Sequence, residues 1–231
     1  MEIDGVDIRW LGHAGFLIAL KSVPFGEGKN SKIIYIDPYK IKEDSEKADV
    51  ILITHSHYDN CSFEDLKKIV KEDTKIILPA DCQSKIMKFD FPVEMVIMEP
   101  NMDLNFGGIS ITSLPSYNLH KSFHPKDASW MGYLLKIRGL LIYHAGDTDF
   151  IPEMQRLTGF SGSDKKLIAL LPVGGRFTMT AEEAAEAAEL IKPHLAIPMH
   201  YGSVVGTEKD AEDFVQFCKE YDVNAEILKK E

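Results

Sequence analysis

The chain has 231 residues, of which 45% are hydrophobic, so it is long enough for one large domain with a sizeable buried core. Its formal net charge of −10 argues against a general nucleic-acid binder, because binding to phosphates requires a positive surface field. An anionic small-molecule substrate stays open, since a local cluster of metal ions and Arg can outweigh the global charge.

The amino terminus and the apolar runs indicate neither secretion nor a membrane span. Acidic Glu2 and Asp4 lie where the cationic part of a signal peptide would be. No apolar run approaches the roughly 20 residues needed to cross a bilayer. Cys61, Cys82 and Cys218 are odd in number and widely spaced, which fits reduced thiols better than disulfides or zinc ligands. We therefore expect a cytoplasmic protein with a small-molecule substrate and neither a nucleic-acid nor a membrane partner.

Short apolar, β-branched runs bounded by Gly, Pro, Asp or Asn recur along the chain and predict strands. In chain order these are Asp7–Trp10, Gly15–Leu20, Lys32–Ile36, Val50–Thr54, Lys75–Leu78, Met95–Met98, Ile109–Leu114, Gly132–Ile137, Leu140–His144, Leu167–Leu171 and Leu195–Met199.

Four helices are predicted, beginning at Ser62, Asp81, Thr180 and near Thr207. The first and third starts have the spacing of a capping box, in which a hydroxyl side chain precedes an acidic one by three residues. Pro193 is expected to end the third helix, which is rich in Ala and Glu. Two strand-rich halves that each carry helices predict an α/β protein, a four-layer αββα sandwich formed by one domain over residues 1–231.

The predicted strand Val50–Thr54 runs directly into three side chains of metal-binding type, His55, His57 and Asp59. A chain that leaves a buried strand places its next polar residues at the edge of the sheet, where loops gather functional groups. Imidazoles two residues apart can point the same way, and a carboxylate two residues further can reach the same point. The alternative is an exposed polar turn, because such a motif arises by chance in roughly one comparable chain in fifty.

A buried strand followed by a ligand-type residue occurs twice more, each time in a Gly-containing turn. Asp147 follows the strand Leu140–His144, and His200 follows Leu195–Met199. Because the ends of parallel strands meet at one edge of a sheet, we expect these side chains to converge with those after Val50–Thr54. The predicted metal ligands are His55, His57, Asp59, Asp147 and His200.

With these residues the chain resembles the metallo-β-lactamase superfamily, and more narrowly its branch of small UPF0173 and ascorbate-6-phosphate-lactonase-like hydrolases. The resemblance covers nearly the whole chain, in the motifs Gly12–Phe16, Ile36–Pro38, His55–Asn60, His144–Thr148 and Pro198–Gly202. It implies an αββα sandwich with two metal ions between the sheets. By the same resemblance, the first ion is bound by His55 and His57. Asp59 and His200 bind the second ion, and Asp147 bridges both.

The chain departs from the family pattern at two positions where a histidine ligand is expected. Asn60 follows Asp59, and Asn118 lies in the expected position after the strand Ile109–Leu114. Because an amide oxygen is neutral and harder than imidazole, each replacement should weaken the binding of zinc-like metals. The two Asn oxygens could themselves be ligands. His124, in the long loop Ser116–Ser129, could instead supply a missing imidazole, contact the substrate or be a plain surface residue.

Three residues outside the metal set are predicted to contact the substrate, namely His13, His124 and Arg176. His13 lies in a glycine-flanked turn, where a buried histidine that joins two strands is an equally good explanation. Arg176 lies in a glycine-rich loop, and a cation there could hold a substrate phosphate or carboxylate. A plain exposed Arg is the alternative.

The motifs contain three further residues with expected supporting roles. Asp37 is expected to accept a hydrogen bond from a ligand histidine or a loop amide, which would orient the ligand. His144 is expected to pack behind the site rather than bind metal. Trp130 could form a wall of the cleft, although core packing is the simpler explanation.

The predicted activity is metal-dependent hydrolysis of an ester, lactone or phosphodiester-type bond in a small molecule. Zinc is expected, as one or two ions, with Mn and Fe as alternatives because ligand type alone does not choose the metal. Asp59 and Asp147 are the predicted catalytic residues, Asp59 as the group that orients water and accepts its proton and Asp147 as the holder of the metal. A non-catalytic or regulatory metal-binding protein of the same fold is the alternative, which the two Asn substitutions favour. Assembly into a homo-oligomer stays open.

Overall fold

The computed structural model describes residues 1–25, 28–162 and 165–231, together with their side chains except those of 22–25 and 28–31. Within these ranges the chain forms thirteen strands in two mixed sheets and four α-helices. The predicted α/β sandwich is confirmed.

The first sheet holds the amino-terminal strands in chain order. They are β1 (Glu2–Ile3), β2 (Val6–Gly12), β3 (Gly15–Phe25), β4 (Gly28–Ile36), β5 (Val50–Leu52), β6 (Lys75–Leu78) and β7 (Glu94–Ile97). Strands β1 to β4 pair antiparallel, and β4 to β7 pair parallel.

The second sheet holds six strands, also in chain order across the sheet. They are β8 (Asp103–Phe106), β9 (Ile109–Pro115), β10 (Met131–Ile137), β11 (Leu140–His144), β12 (Lys166–Pro172) and β13 (Leu195–Met199). Strands β8 to β11 pair antiparallel, and β11 to β13 pair parallel.

The helices begin where the capping signals predict. They are α1 (Phe63–Ile69), α2 (Gln83–Ile86), α3 (Ala181–Ile191) and α4 (Glu208–Glu220). Ser62 and Thr180 cap α1 and α3, each accepting the backbone N–H of the residue three positions on. The helix predicted from Asp81 is a 3₁₀ turn, Ala80–Cys82, followed by the single turn of α2. None of the helices in the described ranges is both long and apolar enough to cross a membrane.

Alternation of side chains along the strands places the core between the sheets. In β3, Phe16 and Ile18 face the core shared with the second sheet, whereas Leu17 faces outward. The outward face is covered by α1, through Leu66. The second sheet is covered by α3 and α4, whose alanines and Phe214 join the same core. The layers therefore run helix, sheet, sheet, helix.

The strands that precede the ligand-type residues come from both sheets, whereas the sequence predicted that they meet at the edge of one sheet. Strand β5 belongs to the first sheet, whereas β11 and β13 belong to the second. His55, after β5, and His200, after β13, both lie within 3.6 Å of the Asp147 carboxylate, after β11. The strand ends therefore converge across the gap between the sheets rather than along the edge of one sheet.

Two short strands, β1 and β8, were not predicted, and β5 is shorter than the run Val50–Thr54. Strand β1 is two residues long, and β8 lacks the β-branched residues that mark the others. The chain leaves the ladder at Thr54, whose backbone N–H donates to the side chain of Asp37 at 2.9 Å. That bond redirects the backbone into the loop that carries the metal motif.

Candidate metal centre

Seven ligand-type side chains from five loops meet at one end of the sandwich. The loop after β5 carries His55, His57 and Asp59, the β2–β3 turn carries His13, the loop after β9 carries His124, and those after β11 and β13 carry Asp147 and His200. Six of them form two groups, each with ligand atoms within 4.8 Å of one another: group one is His55, His57 and His124, and group two is His13, Asp59 and His200.

In group one, three imidazoles face one another and the carboxylate of Asp147. His55 Nε2 lies 3.1 Å from His57 Nδ1 and 3.6 Å from Asp147 Oδ2. His124 Nε2 lies 3.4 Å from the same Asp147 oxygen. Two atoms that bind one ion at about 2.1 Å each are at most about 4.2 Å apart. These separations therefore fit one shared metal ion.

Group two combines two imidazoles with a carboxylate. His13 Nε2 lies 2.9 Å from Asp59 Oδ2, and the ring centroids of His13 and His200 are 4.0 Å apart. His200 Nε2 lies 2.8 Å from Asp147 Oδ2, the oxygen that also faces group one. Asp147 therefore lies where a ligand bridging two ions would lie.

The backbone holds the two histidines of group two in unusual turns. His13 and His200 have φ angles of 53° and 62°, in the left-handed region that non-glycine residues rarely adopt. The backbone N–H of His200 donates to the carbonyl of His13 at 2.8 Å. Because this bond joins the β2–β3 turn to the end of β13, it brings one imidazole from each sheet into the group.

Buried atoms without partners mark the place of a bound group. All seven side chains are buried except that of His57, which is partly exposed. Within the part of the chain that the structure describes, His124 Nε2 and Asp147 Oδ1 are buried and have no hydrogen-bond partner. Each such atom costs about 1–3 kcal/mol when left unpaired. Imidazole nitrogens and carboxylate oxygens form a donor set that suits a divalent metal, so these residues fit metal ions.

The charge states also favour cation binding. Burial lowers the pKa of His55 to about 3 and lowers the pKa of His13 and His57 as well. Burial alone would raise the pKa of Asp147, but the imidazoles of His200 and His55 hold this pKa well below its usual range. Burial disfavours a charge on His200, yet the Asp147 carboxylate raises its pKa. An ionised carboxylate among largely neutral imidazoles offers the lone pairs that a metal requires.

A buried hydrogen-bond chain orients His55. Thr54 Oγ1 donates to Asp37 Oδ2 at 2.6 Å and lies 2.8 Å from His55 Nδ1. Since its proton is given to Asp37, the Thr54 oxygen accepts from Nδ1–H of His55, which leaves Nε2 free for a metal. Asp37 thus has the expected supporting role, although it reaches the histidine through Thr54. Burial raises the pKa of Asp37 to about 7.

Asn118 is hydrogen-bonded to His124 and is not itself one of the metal-capable side chains of group one. Its Oδ1 accepts the backbone N–H of His124 at 3.0 Å and lies 3.1 Å from His124 Nδ1. Its Nδ2 donates to Asp149 Oδ1 and to the carbonyl of Phe177. Because the amide oxygen is occupied in this way, the structure brings the His124 imidazole, and not the Asn118 amide, to group one.

Asn60 also binds a supporting residue rather than a ligand. It is fully buried, and its Nδ2 donates to Asp37 Oδ2 at 3.0 Å. Its Oδ1 is buried without a hydrogen-bond partner and stays available as an oxygen donor. The third side chain of group two is His13, from a different loop.

Two other histidines, His144 and His120, lie outside both groups. His144 Nε2 is 2.8 Å from the carbonyl of Ala14, and its Nδ1 accepts the backbone N–H of Gly146 at 3.2 Å. Both of its nitrogens are thus engaged in holding the turn that precedes Asp147. His120 is exposed and belongs to neither group.

Arg176 is exposed, and its guanidinium lies 5.1 Å from the centre of the Phe177 ring. Among the contacts described, none joins Arg176 to the seven ligand-type side chains, so its substrate contact stays a prediction. Trp130 instead lies at the site, with its ring centroid 4.9 Å from those of His55 and His57. It forms a wall of group one.

Sequence reasoning did not assign His13 as a metal ligand, although a signal for that role was present. The strand ending near Trp10 is followed by Gly12 and His13, which repeats the strand-then-ligand order seen at Asp147 and His200. The structure places His13 and His124, both predicted as substrate contacts, among the metal-capable groups.

The chain is similar to proteins of one superfamily over most of its length. It matches the family model described as a beta-lactamase superfamily domain over residues 7–200. A UPF0173 metal-dependent hydrolase of Thermococcus kodakarensis is 33% identical over 221 residues, which cover 90% of each chain. A UPF0173 metal-dependent hydrolase of Thermoplasma acidophilum is 34% identical, with 92% of this chain and 90% of the relative covered.

Solved structures share the fold. A crystal structure of a protein from Parabacteroides distasonis has a TM-score of 0.79 at 28% identity, covering 97% of this chain and 94% of its own. A metallo hydrolase of Ignicoccus hospitalis has a TM-score of 0.75 at 22% identity, covering 97% and 95%, and supports the fold alone.

Proposed function

The chain belongs to the beta-lactamase superfamily and, within it, to the UPF0173 metal-dependent hydrolases, and from this premise we propose that it cleaves an ester, lactone or phosphodiester-type bond in a small molecule. The observation that supports this most strongly is the pair of three-donor groups with Asp147 between them. Hydrolysis assisted by two metals requires two adjacent sites of this kind.

We assign the metal ligands by group. His55, His57 and His124 would hold one ion, and His13, Asp59 and His200 would hold the other. Asp147 would bind both. Zinc is the proposed metal because it prefers imidazole and carboxylate donors, and Mn and Fe remain alternatives for the same donor set.

Individual residues of the chain have separate proposed roles in hydrolysis. When bound, divalent metal ions activate water as a nucleophile and polarise the bond to be cleaved. Asp59, within hydrogen-bond distance of His13, is proposed to orient the water and accept its proton. Asp147 keeps the two imidazole groups at a constant separation, and Trp130 shields group one from bulk water. Arg176 stays a predicted substrate contact.

The test is metal content followed by activity. We expect elemental analysis of protein purified without chelator to give about two equivalents per chain, one for each group. His57→Ala should lose about one equivalent, and His120→Ala, which alters an exposed histidine outside both groups, should keep both. The zinc-loaded protein should then hydrolyse at least one of 4-nitrophenyl acetate, γ-butyrolactone and bis(4-nitrophenyl) phosphate. If the protein holds no metal after reconstitution, or holds metal but turns over no ester, lactone or phosphodiester, the proposal is contradicted.

The alternative of a non-catalytic or regulatory metal-binding protein rested on Asn60 and Asn118. His13 and His124 supply an imidazole to each group, so the donor sets are complete without these positions. This geometry favours the hydrolase.

The remaining predictions about the environment of the protein are kept as proposals. The net charge of −10 supports a small-molecule substrate over nucleic acid. A cytoplasmic location, the lack of a membrane partner and the open oligomeric state rest on sequence composition alone.

A further inference from the structure

A cavity of about 450 Å³ adjoins group two of the metal centre. His13 lies on its wall, together with Tyr39, whose ring centroid is 5.8 Å from that of His13, and Tyr201, which follows His200. Ligand pockets for small molecules have volumes of about 300–1,000 Å³. The cavity is therefore large enough to hold part of a substrate whose reactive bond lies at the metal centre.

One wall of the cavity is the carboxyl-terminal segment 226–231. The backbone N–H of Glu226 donates to the carbonyl of Ala196, and the backbone N–H of Glu231 donates to the carbonyl of Trp10, both at 3.0 Å. Held at both ends, the segment contributes Ile227 and Leu228 to the lining. Trp10 also lines the cavity, and its ring is stacked on Tyr201 at 4.7 Å between ring centroids. These side chains form an apolar surface for the body of a ligand.

The same segment brings a cation close to His13. A Cβ added to Gly12 would lie 2.8 Å from Cε and 3.1 Å from Nζ of Lys230, so the lysine chain lies directly across the residue that precedes His13. A side chain at position 12 would block this approach, and the φ of +102° there also favours glycine. The position of the Lys230 ammonium therefore depends on Gly12.

The cations of the cavity are not neutralised by the protein. In the described parts of the chain, the side chains of Lys229 and Lys230 have neither a hydrogen bond nor an ion pair. Lys40 Nζ lies 3.5 Å from Ser203 Oγ and 5.0 Å from the centre of the Tyr39 ring, and no carboxylate within the described ranges is paired with it. Neighbouring Arg9 is paired with Asp7, Glu46 and Glu231.

Two carboxylates also line the cavity, so its charge is mixed. Glu208 and Glu212 belong to α4, and no ion pair within the described ranges joins either of them to the three lysines. The ammonium groups therefore stay available to an external anion. Lys230 lies against Gly12, the residue that precedes His13 of group two.

We propose that this cavity binds the anionic end of the substrate, a carboxylate or a phosphate, through Lys230 and Lys40, while the apolar surface contacts its body. The proposal rests on the proposed function and deepens it, since it names the substrate class. The substrates would be esters or lactones that carry an anionic group in addition to the bond that is cleaved. It also places the anion-binding cation at Lys230 and Lys40, whereas the sequence suggested Arg176, which does not line the cavity.

The kinetic test compares two esters that differ in one charge. Zinc-loaded protein is assayed with 4-nitrophenyl hexanoate and with the mono-4-nitrophenyl ester of adipic acid. Lys230→Met and Lys40→Met should raise KM for the charged ester about tenfold, the effect of losing one charge-assisted hydrogen bond, and leave the neutral ester within about twofold. Lys136→Met, on an exposed position of β10 away from the cavity, is the matched control and should change neither.

A binding test separates this proposal from the proposed function, because it needs no turnover. Monomethyl adipate, dimethyl adipate and hexyl phosphate are titrated by calorimetry into the zinc-loaded wild type and the variant that combines Lys230→Met with Lys40→Met. The proposal requires one or both anions to bind the wild type at least about tenfold more tightly than the neutral diester, and the double variant to lose that preference. The preferred anion would identify carboxylate or phosphate. Equal affinity for the three probes, or a preference that survives in the double variant, would overturn the anion site even if the protein is a hydrolase.

Discussion

Two imidazoles that come from unexpected positions belong to the candidate metal centre. Asn60 and Asn118 occupy positions where the superfamily pattern leads one to expect histidine, and His13 and His124 lie in the groups instead. Each Asn has a supporting role, Asn118 as the acceptor for His124 and Asn60 as a donor to Asp37. The chain therefore has three donors in each group, with His124 from further along the same loop as Asn118 and His13 from a different loop than Asn60.

His124→Ala should reduce the metal content from about two equivalents to about one, because group one would keep only two of its imidazoles. His120→Ala removes an exposed histidine from the same loop and should keep both equivalents. Elemental analysis of the two variants, with circular dichroism to show that both are folded, decides the role of His124. Two equivalents in His124→Ala would show that it is not a ligand.

Asn60→His should not raise the metal content, although it restores the residue expected from the family pattern. The side chain is fully buried, and a larger ring would lose the bond to Asp37 Oδ2. We expect a loss of about 1–3 kcal/mol in the free energy of unfolding, from overpacking and the broken hydrogen bond. Urea denaturation measures this, and elemental analysis should still give about two equivalents. A third equivalent, or an unchanged stability, would contradict the described role of Asn60.

At the scale of single residues, the convergence of the ligand-type side chains that follow strong strand signals could be predicted, and their role as metal ligands stays a prediction. His55, His57, Asp59, Asp147 and His200 were named from sequence, and the structure brings all five together. The placement of His13 and His124 depends on contacts between distant parts of the chain. The bond from His200 N–H to the His13 carbonyl spans the two sheets, and no local pattern carries that information.

At the scale of secondary structure, each of the eleven predicted strands overlaps an observed one, because short apolar, β-branched runs bounded by turn residues suit strands that are buried in a sandwich. Helix starts were accurate where a hydroxyl cap was present, as at Ser62 and Thr180. The division of strands between two sheets was suggested only as two halves, since pairing depends on contacts far apart in the chain. That loops from both sheets supply the ligand-type residues could therefore be seen only in the structure.

The loop after β12 contains Gly174, a position where close packing against the loop after β13 leaves no room for a side chain. A Cβ on Gly174 would lie 2.5 Å from the carbonyl oxygen of His200 and 3.1 Å from its Nδ1. The conflict is with backbone, which cannot move aside cheaply, and the φ of Gly174 is not in the left-handed region. The glycine therefore provides space for the turn that carries His200.

Gly174→Ala should lower the free energy of unfolding by about 1–3 kcal/mol and weaken metal binding in group two, because His200 must shift. Gly162→Ala is the matched control, since an added Cβ there has no neighbour within 4 Å. Thermal unfolding with and without a zinc chelator compares the two. A Gly174→Ala protein as stable as Gly162→Ala, with two tightly bound metals, would show that the loops accept the added Cβ without loss of stability or of metal binding.

At the scale of the whole molecule, the two sheets are joined by a shared apolar core and, at one end, by the seven ligand-type side chains. The apolar core stabilises the sandwich whether or not metal is present. The polar end differs, because several of its buried nitrogens and oxygens lack partners within the described chain. Bound metal would satisfy these atoms and connect loops from both sheets, so metal binding and stability should be coupled.

Removal of metal should therefore lower the melting temperature of the whole protein without unfolding it at room temperature. A ligand present at 100 times its Kd stabilises the folded state by about 2.7 kcal/mol, and a domain of this size shifts by about 2–4 °C per kcal/mol. A chelator should thus lower Tm by roughly 5–10 °C, and restored zinc should reverse the change. The variant that combines His57→Ala with His200→Ala has lost a ligand from each group, so its Tm should respond little to chelator. If wild type and double variant respond equally, or if the wild type does not respond at all, the metal does not link the two sheets, and the centre would have to be assigned elsewhere.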